Sequence, residues 1–227
     1  MKIGILGTGI VGKSHAARLV QLGYDVYMGT RDVPKTMSKS ENDGMGNPPL
    51  NVWLKQNPKV RLVSFSEAAK QGDMIIHAIK GEHSIEALRI AGEQNLNGKI
   101  LIDISNPLDF SRGMPPSLLV SNTDSLGEQI QRTFPKVKVV KTLNTVNAIL
   151  QAEPSKLANG DHNIFIGGDD PAAKEEVIKL MNQYGWRKII DLGDIKSARG
   201  TEMLLIIWVN LLGTLQTPMF NFRVVTG

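Results

Sequence analysis

Apolar and polar positions along the chain recur with two different periods. Lys2–Leu6 is a short apolar run of strand composition, and Val11 to Leu22 carries Val11, Ala16, Leu19, Val20 and Leu22 at helical spacing. Gly23 ends that helix and Tyr24–Met28 is the next strand-like run. Between Val33 and Pro58 the pattern breaks. Pro34, Gly44, Gly46, Pro48, Pro49 and Pro58 predict an exposed loop, with one short helix at Leu50–Gln56 anchored by Trp53 and Leu54. Strands are then predicted at Arg61–Val63, Asp73–Ile79, Lys99–Ile104 and Val137–Val140. Between them the pattern predicts helices at Ser66–Gln71, capped by Ser66, at His83–Ala91 and at Ser125–Phe134. Ile75, Ile76, Ala78 and Ile79 are nearly continuous, as in a parallel strand covered on both faces.

Past Gln151 the spacing predicts a strand at Asn163–Ile166, a helix opened by Pro171 and running to Tyr184, and a strand at Arg187–Leu192. A long helix follows from Ile195 to Leu215, polar at its start and almost wholly apolar from Met203 to Leu212. A helix apolar on every side is buried, and burial in a dimer or across a cleft is favoured here over the core of a single chain. The fold class is α/β: a Rossmann-type, doubly wound, mostly parallel sheet with a small C-terminal helical annex. Residues 1–150 form the dinucleotide-binding domain. Residues 151–227 form the annex of extra strands and the long helix, either separate from the first domain or continuous with it.

Composition adds exclusions. Of 227 residues 41% are hydrophobic and 21% charged, as in ordinary globular domains, and the net charge of +4 is spread without a dense basic run or interleaved aromatics. Nucleic acid is therefore not an expected partner. With no cysteine, disulfides, thiol catalysis and cysteine-held metal are out, and no residue set has metal-ligand spacing. The longest apolar stretch, Met203–Leu215, is broken by Asn210, Gly213 and Thr214 and is too short to span a bilayer. A soluble cytoplasmic protein, forming a homodimer, is the expectation.

The candidate chemistry begins where the first strand meets the first helix, at Gly7-Thr8-Gly9-Ile10-Val11-Gly12. In that context the glycines serve three separate ends, namely a tight turn, close approach of a pyrophosphate, and close packing of helix on sheet. The helix N-terminus adds unpaired N–H groups and a positive dipole end for phosphate. The second strand names the dinucleotide. Where an acid would bind a ribose 2′-hydroxyl in an NAD site, the chain has Thr30, Arg31 and, four residues on, Lys35. A hydroxyl, a guanidinium and an ammonium suit a 2′-phosphate, hence NADP(H). Asp32 is the alternative ribose ligand, but Arg31 precedes it and it lies past the strand end.

Ligands in such sheets lie beyond the strand ends, which singles out Ala78-Ile79-Lys80, Asn106-Pro107 and Asn144 as further cofactor contacts. Asn106-Pro107 suits a nicotinamide carboxamide, and Asn144 reaches the same pocket; equally, both asparagines can be turn formers bonded to their own backbone. His77, Lys80, His83 and Lys141 are the possible general acids. Of these, His77 reads as a packed core histidine and His83 as a first-turn residue, so no catalytic residue is assigned.

These residues resemble a known family. Gly-Thr-Gly-x-x-Gly followed by Gly29-Thr30-Arg31 and Lys35, then Val140–Thr145, Gly167–Lys174, and Asp191–Asp194 leading to Ala198-Arg199, resemble the coenzyme F420-dependent NADP oxidoreductases and related dinucleotide-binding enzymes. The resemblance implies that Thr30, Arg31 and Lys35 hold the 2′-phosphate. It also implies hydride transfer between NADPH and a ring-type acceptor, coenzyme F420 or a flavin such as FMN or FAD. Lys80-Gly81-Glu82 and Pro218–Gly227 depart from the family pattern, and both departures touch the region of the second substrate. The alternatives are an NADPH-dependent reductase of a small carbonyl or imine, and a non-enzymatic NADP(H) sensor.

Overall fold

The computed structural model describes residues 1–42 and 46–227; Gly44, one of the breakers in the expected loop, lies outside the described residues. In chain order the elements are β1 (Lys2–Leu6), α1 (Ile10–Gln21), β2 (Asp25–Thr30), α2 (Val33–Met37), α3 (Leu50–Gln56), β3 (Val60–Ser64), α4 (Phe65–Gln71) and β4 (Met74–His77). Next come α5 (Ser84–Ala91), α6 (Glu93–Leu96), β5 (Ile100–Asp103), a small hairpin of β6 (Leu108–Asp109) and β7 (Ser117–Leu118), α7 (Leu126–Thr133) and β8 (Lys138–Thr142). The chain closes with α8 (Ala148–Ala152), β9 (Ile164–Gly167), α9 (Pro171–Tyr184), β10 (Ile189–Asp191) and α10 (Ala198–Leu215).

Eight strands form one sheet in the order β10-β9-β8-β5-β4-β1-β2-β3. All neighbours from β3 to β8 are parallel; β9 runs antiparallel to β8 and parallel to β10. Residues on both sides of position 150 thus share one sheet. The chain winds outward from β1 to β3, then crosses back to β4, so the winding reverses between β1 and β4. A ligand crevice opens at such a reversal, outside the carboxyl ends of the strands.

Alternate strand residues feed two cores, which explains the near-continuous apolar runs. Ile3, Ile5, Ile76, Ile102 and Val140 face Ala16 and Leu19 of α1, Leu150 of α8 and Val177 and Leu180 of α9. Leu6, Ile75, Leu101 and Val139 face Phe65 and Ala68 of α4, Leu88 of α5 and Leu126 and Ile130 of α7. The result is a helix–sheet–helix sandwich.

Local signals set the ends of α9: Asp170 accepts the Ala173 N–H, Pro171 opens the helix and Gly185 closes it at φ 106°. The cap of α4 is Ser64, not Ser66: Ser64 Oγ accepts the Glu67 N–H at 3.1 Å, with the acid three residues on that a capping box requires. Three short helices were not expected: α2, which Asp32 caps, α6, and α8, capped by Asn147. None exceeds five residues, too few for a periodic pattern. The long helix starts with a 3-10 turn at Ile195–Ser197, and only part of its apolar surface is covered. Leu205 and Val209 are buried, while Met203 and Ile207 are 38% and 46% exposed. Among the described residues no helix is long and apolar enough to cross a membrane.

Candidate active site

The three glycines of the first turn do three different things. Gly7 has φ +124°, and a Cβ there would lie 2.4 Å from the Ala78 carbonyl oxygen, so β1 and β4 approach too closely for any side chain. A Cβ on Gly12 would lie 2.2 Å from the Gly7 carbonyl oxygen, which fixes α1 hard against the turn. Gly9 differs: a Cβ there meets no atom within 4 Å. The protein leaves that space open on the outer side of the turn, at the start of α1, where a pyrophosphate needs the backbone bare. The residues present therefore fit a dinucleotide.

A cleft of about 1080 Å³ extends from this turn over the ends of β1, β2 and β4. Gly7, Thr8, Gly9, Thr30, Arg31, Lys35, Ala78, Ile79 and Lys80 all line it. Of the other expected cofactor contacts, Ile10 is 43% exposed and faces a second groove, Val11 is half-buried in the first turn of α1, and Gly12 lies behind the turn. Asn106, Pro107 and Asn144 sit at the ends of β5 and β8, outside the lining of the cleft.

Thr30 ends β2 with its Oγ1 2.7 Å from Thr36 Oγ1, and Thr36 Oγ1 donates to the Asp32 carbonyl. Arg31 is exposed at the cleft mouth, 3.4 Å from Glu86 Oε2 on α5, a weak surface pairing that leaves its remaining donors to face a ligand. Asp32 Oδ1 accepts the Lys35 N–H at 2.9 Å, so this carboxylate caps α2. Lys13, Lys35, Lys39 and Lys80 also border the cleft, against Asp32 and Glu41, and the excess of cations favours an anionic ligand.

At the β5 and β8 ends the two asparagines meet each other. Asn106 Nδ2 donates to the Asn144 carbonyl, and Asn144 Nδ2 donates to Asn106 Oδ1 and to the Thr201 carbonyl, each at 3.0 Å. Leu143, beside them, holds φ 61°, a left-handed conformation that a leucine adopts only under such constraint. A Cβ on Gly81 would lie 2.2 Å from the Asn106 carbonyl oxygen, so the turn after β4 rests directly on the Asn106-Pro107 turn. These contacts join the strand-end loops with the start of α10.

Below these loops lies a buried charge cluster that the sequence did not reveal. His77, Asp103 and Lys141 are register neighbours at the ends of β4, β5 and β8. Lys141 Nζ lies 2.9 Å from Asp103 Oδ2 and 2.8 Å from Glu202 Oε1, and donates to the Ser105 carbonyl at 2.6 Å. Glu202, on α10, accepts the N–H groups of Leu126 and Gly127 at the start of α7, at 2.8 and 3.0 Å. Burial pulls the Lys141 ammonium down, but Asp103 and Glu202 outweigh it and raise it above the ordinary lysine value. Burial pushes Asp103 up, and Lys141, His77 and Ser105 together leave it below the ordinary carboxylate value. His77, with Nε2 2.8 Å from Ser84 Oγ, is pushed down to about 4 by burial and is neutral at physiological pH. Lys141 is thus a structural cation rather than a proton donor to the cleft. The signal available in the sequence was charge inside apolar runs, at Val139-Val140-Lys141 and at Glu202 before Met203–Leu205.

Comparisons with known proteins converge on one group. The family described as NADP oxidoreductase, coenzyme F420-dependent, matches residues 2–107. A crystal structure of a candidate F420-dependent NADP-reductase from Arthrobacter sp. FB24 is 51% identical, with 100% of both chains covered and a TM-score of 0.95. The F420-dependent NADP reductase of Methanocaldococcus jannaschii is 28% identical over 93% of this chain and 93% of its own. Metalloreductase STEAP3 of Rattus norvegicus is 31% identical over 89% of this chain, which spans only 36% of that protein's length.

Proposed function

The chain belongs to the coenzyme F420-dependent NADP oxidoreductase family and is an NADP-dependent oxidoreductase; from that premise we propose that it moves a hydride between NADPH and a ring-type acceptor, coenzyme F420 or a flavin. In this reading the bare backbone at Gly9 and the N-terminus of α1 hold the pyrophosphate. Thr30, Arg31 and Lys35 hold the 2′-phosphate, and the loops at Ala78–Lys80 and Asn106-Pro107 border the nicotinamide half. Bound NADPH supplies the hydride; the protein supplies position and exclusion of water.

The observation that carries the choice of acceptor is how the polar groups at the β5 and β8 ends are engaged. Asn106 and Asn144 bond each other, Lys141 is enclosed between two carboxylates, and His77 is buried and neutral. Reduction of a carbonyl or imine needs a positioned acid near the reacting atom, and the two remaining candidates that line the cleft, Lys80 and His83, are held by no side-chain hydrogen bond, His83 lying exposed 3.6 Å from Glu82. Hydride transfer between two stacked rings needs little such help. The test is anaerobic oxidation of NADPH with coenzyme F420, FMN, FAD and a panel of small ketones and imines. Turnover with a ring acceptor supports the reading. Turnover with a ketone or imine, and with no ring acceptor, refutes it.

A further inference from the structure

Helix α2, which follows the tip of β2, is five residues long and buries none of them. A helix that short is not stable by itself, and no apolar face fastens this one to the core. Hydrogen bonds hold it instead. At its front, Asp32 Oδ1 accepts the Lys35 N–H at 2.9 Å, and the Asp32 carbonyl accepts the Thr36 N–H at 3.0 Å and the Thr36 hydroxyl at 2.7 Å. At its side, Thr36 Oγ1 lies 2.7 Å from Thr30 Oγ1 on the end of β2. At its far end, Asn51 Nδ2 of α3 donates to the Met37 carbonyl at 3.2 Å.

Arg31, Asp32, Lys35, Thr36 and Lys39 all line the dinucleotide cleft. Among the described residues no ion pair or side-chain hydrogen bond fixes the Lys35 ammonium, so its place at the cleft is set by the backbone that carries it. That backbone is the first turn of α2, and its order depends on the cap. The charge of Asp32 by itself opposes a phosphate bound in the same cleft. What Asp32 gives an NADP(H) site is therefore the cap and not the charge.

We propose that Asp32 is a positioning residue for nucleotide choice: by capping α2 it orders the turn that brings Lys35 to the 2′-phosphate, and it does not itself contact the nucleotide. This role rests on the 2′-phosphate reading of Thr30, Arg31 and Lys35, and it adds the residue that makes their site ready before the nucleotide arrives. With the cap lost, the ordered turn is populated only in part, and the apparent affinity for NADPH falls by that fraction. NADH has no 2′-phosphate to meet Lys35, so its affinity does not depend on the turn.

The experiment titrates NADPH and NADH into wild type, Asp32→Asn and Asp32→Ala. Asparagine caps a helix about as well as aspartate and alanine does not, while both substitutions remove the charge, so the ratio between the two variants isolates the cap. Because α2 buries nothing, both variants are expected to fold. Asp32→Ala is expected to bind NADPH on the order of five-fold more weakly than Asp32→Asn, the effect of one cap, and Asp32→Asn at least as tightly as wild type. NADH binding is expected to be the same in all three. Amide hydrogen exchange at Lys35 in the ligand-free protein is expected to quicken in Asp32→Ala and to keep its wild-type rate in Asp32→Asn. Equal NADPH affinity in the two variants overturns the positioning role, and so does NADH binding weakened in both, which makes Asp32 the ribose ligand. A wild type that prefers NADPH, with no difference between the variants, leaves the 2′-phosphate reading intact. A wild type that binds the two nucleotides alike overturns that reading and the role of Asp32 with it.

Discussion

Lys141→Met removes one ammonium from a site 1% exposed and leaves the side-chain volume nearly intact. Three contacts are lost together: Asp103 at 2.9 Å, Glu202 at 2.8 Å and the Ser105 carbonyl at 2.6 Å. Two carboxylates are then buried without a cation between them. Breaking a buried pair in this way costs about 3–5 kcal/mol, far more than a well-packed neutral replacement would. Against a total stability of roughly 5–15 kcal/mol, the variant should be close to marginal. Urea unfolding at neutral pH, followed by fluorescence of the buried Trp186, should show a midpoint that falls with little change in slope. The sign of the pH dependence gives a second check. Without the lysine, the orphaned carboxylates bind protons in the folded state, so lowering the pH narrows the gap between the variant and wild type. Neutralising the site altogether with Asp103→Asn and Glu202→Gln on the Lys141→Met background should recover most of the loss. A Lys141→Met protein within about 1 kcal/mol of wild type, with a gap independent of pH, would refute the cluster as an ion-paired joint between α10 and the sheet.

Acid should destabilise the wild type through two histidines. His15, held between Tyr184 and Gln151, and His77 are both pushed by burial from 6.5 to about 4. Their contribution is whole above pH 6.5 and is lost as pH falls toward 4, about 3 kcal/mol each, and unfolding free energies measured across that window should slope accordingly. The second and third glycines of the turn should separate binding from folding. Gly12→Ala, whose Cβ would sit 2.2 Å from the Gly7 carbonyl oxygen, should lower both thermal stability and NADPH affinity. Gly9→Ala, at an unstrained φ of −73° with open space around its Cβ, should keep wild-type stability and lose NADPH affinity on the order of ten-fold or more. A Gly9→Ala protein that binds NADPH normally would argue that the pyrophosphate lies elsewhere.

What the sequence made legible was local. The glycine turn, the helix Leu50–Gln56 and the ends of α9 are each set by residues within a few positions of one another, and the structure places them as expected. The strand tip carrying Thr30 and Arg31 was equally readable, because the second strand of this fold follows the first helix at a fixed distance. What stayed hidden depends on register between distant strands. Nothing local says that Lys141 faces Asp103, that Asn144 reaches Asn106, or that Glu202 comes back to the start of α7. The cap of α4 was hidden for a different reason: Ser64 and Ser66 both offer a hydroxyl, and only the acid at Glu67 decides between them. The coverage of α10 could not be read either, since an all-apolar helix announces burial without naming the partner surface.

A parallel titration of NADPH and NADH into wild type and Arg31→Ala puts the dinucleotide site to its sharpest test. Wild type should bind NADPH more tightly than NADH. Arg31→Ala should weaken NADPH by about 1.5–3 kcal/mol, the range for a hydrogen bond to a charged group, while barely altering NADH. Equal losses for both nucleotides, or a wild type that binds the two alike, would contradict the 2′-phosphate site at Thr30, Arg31 and Lys35.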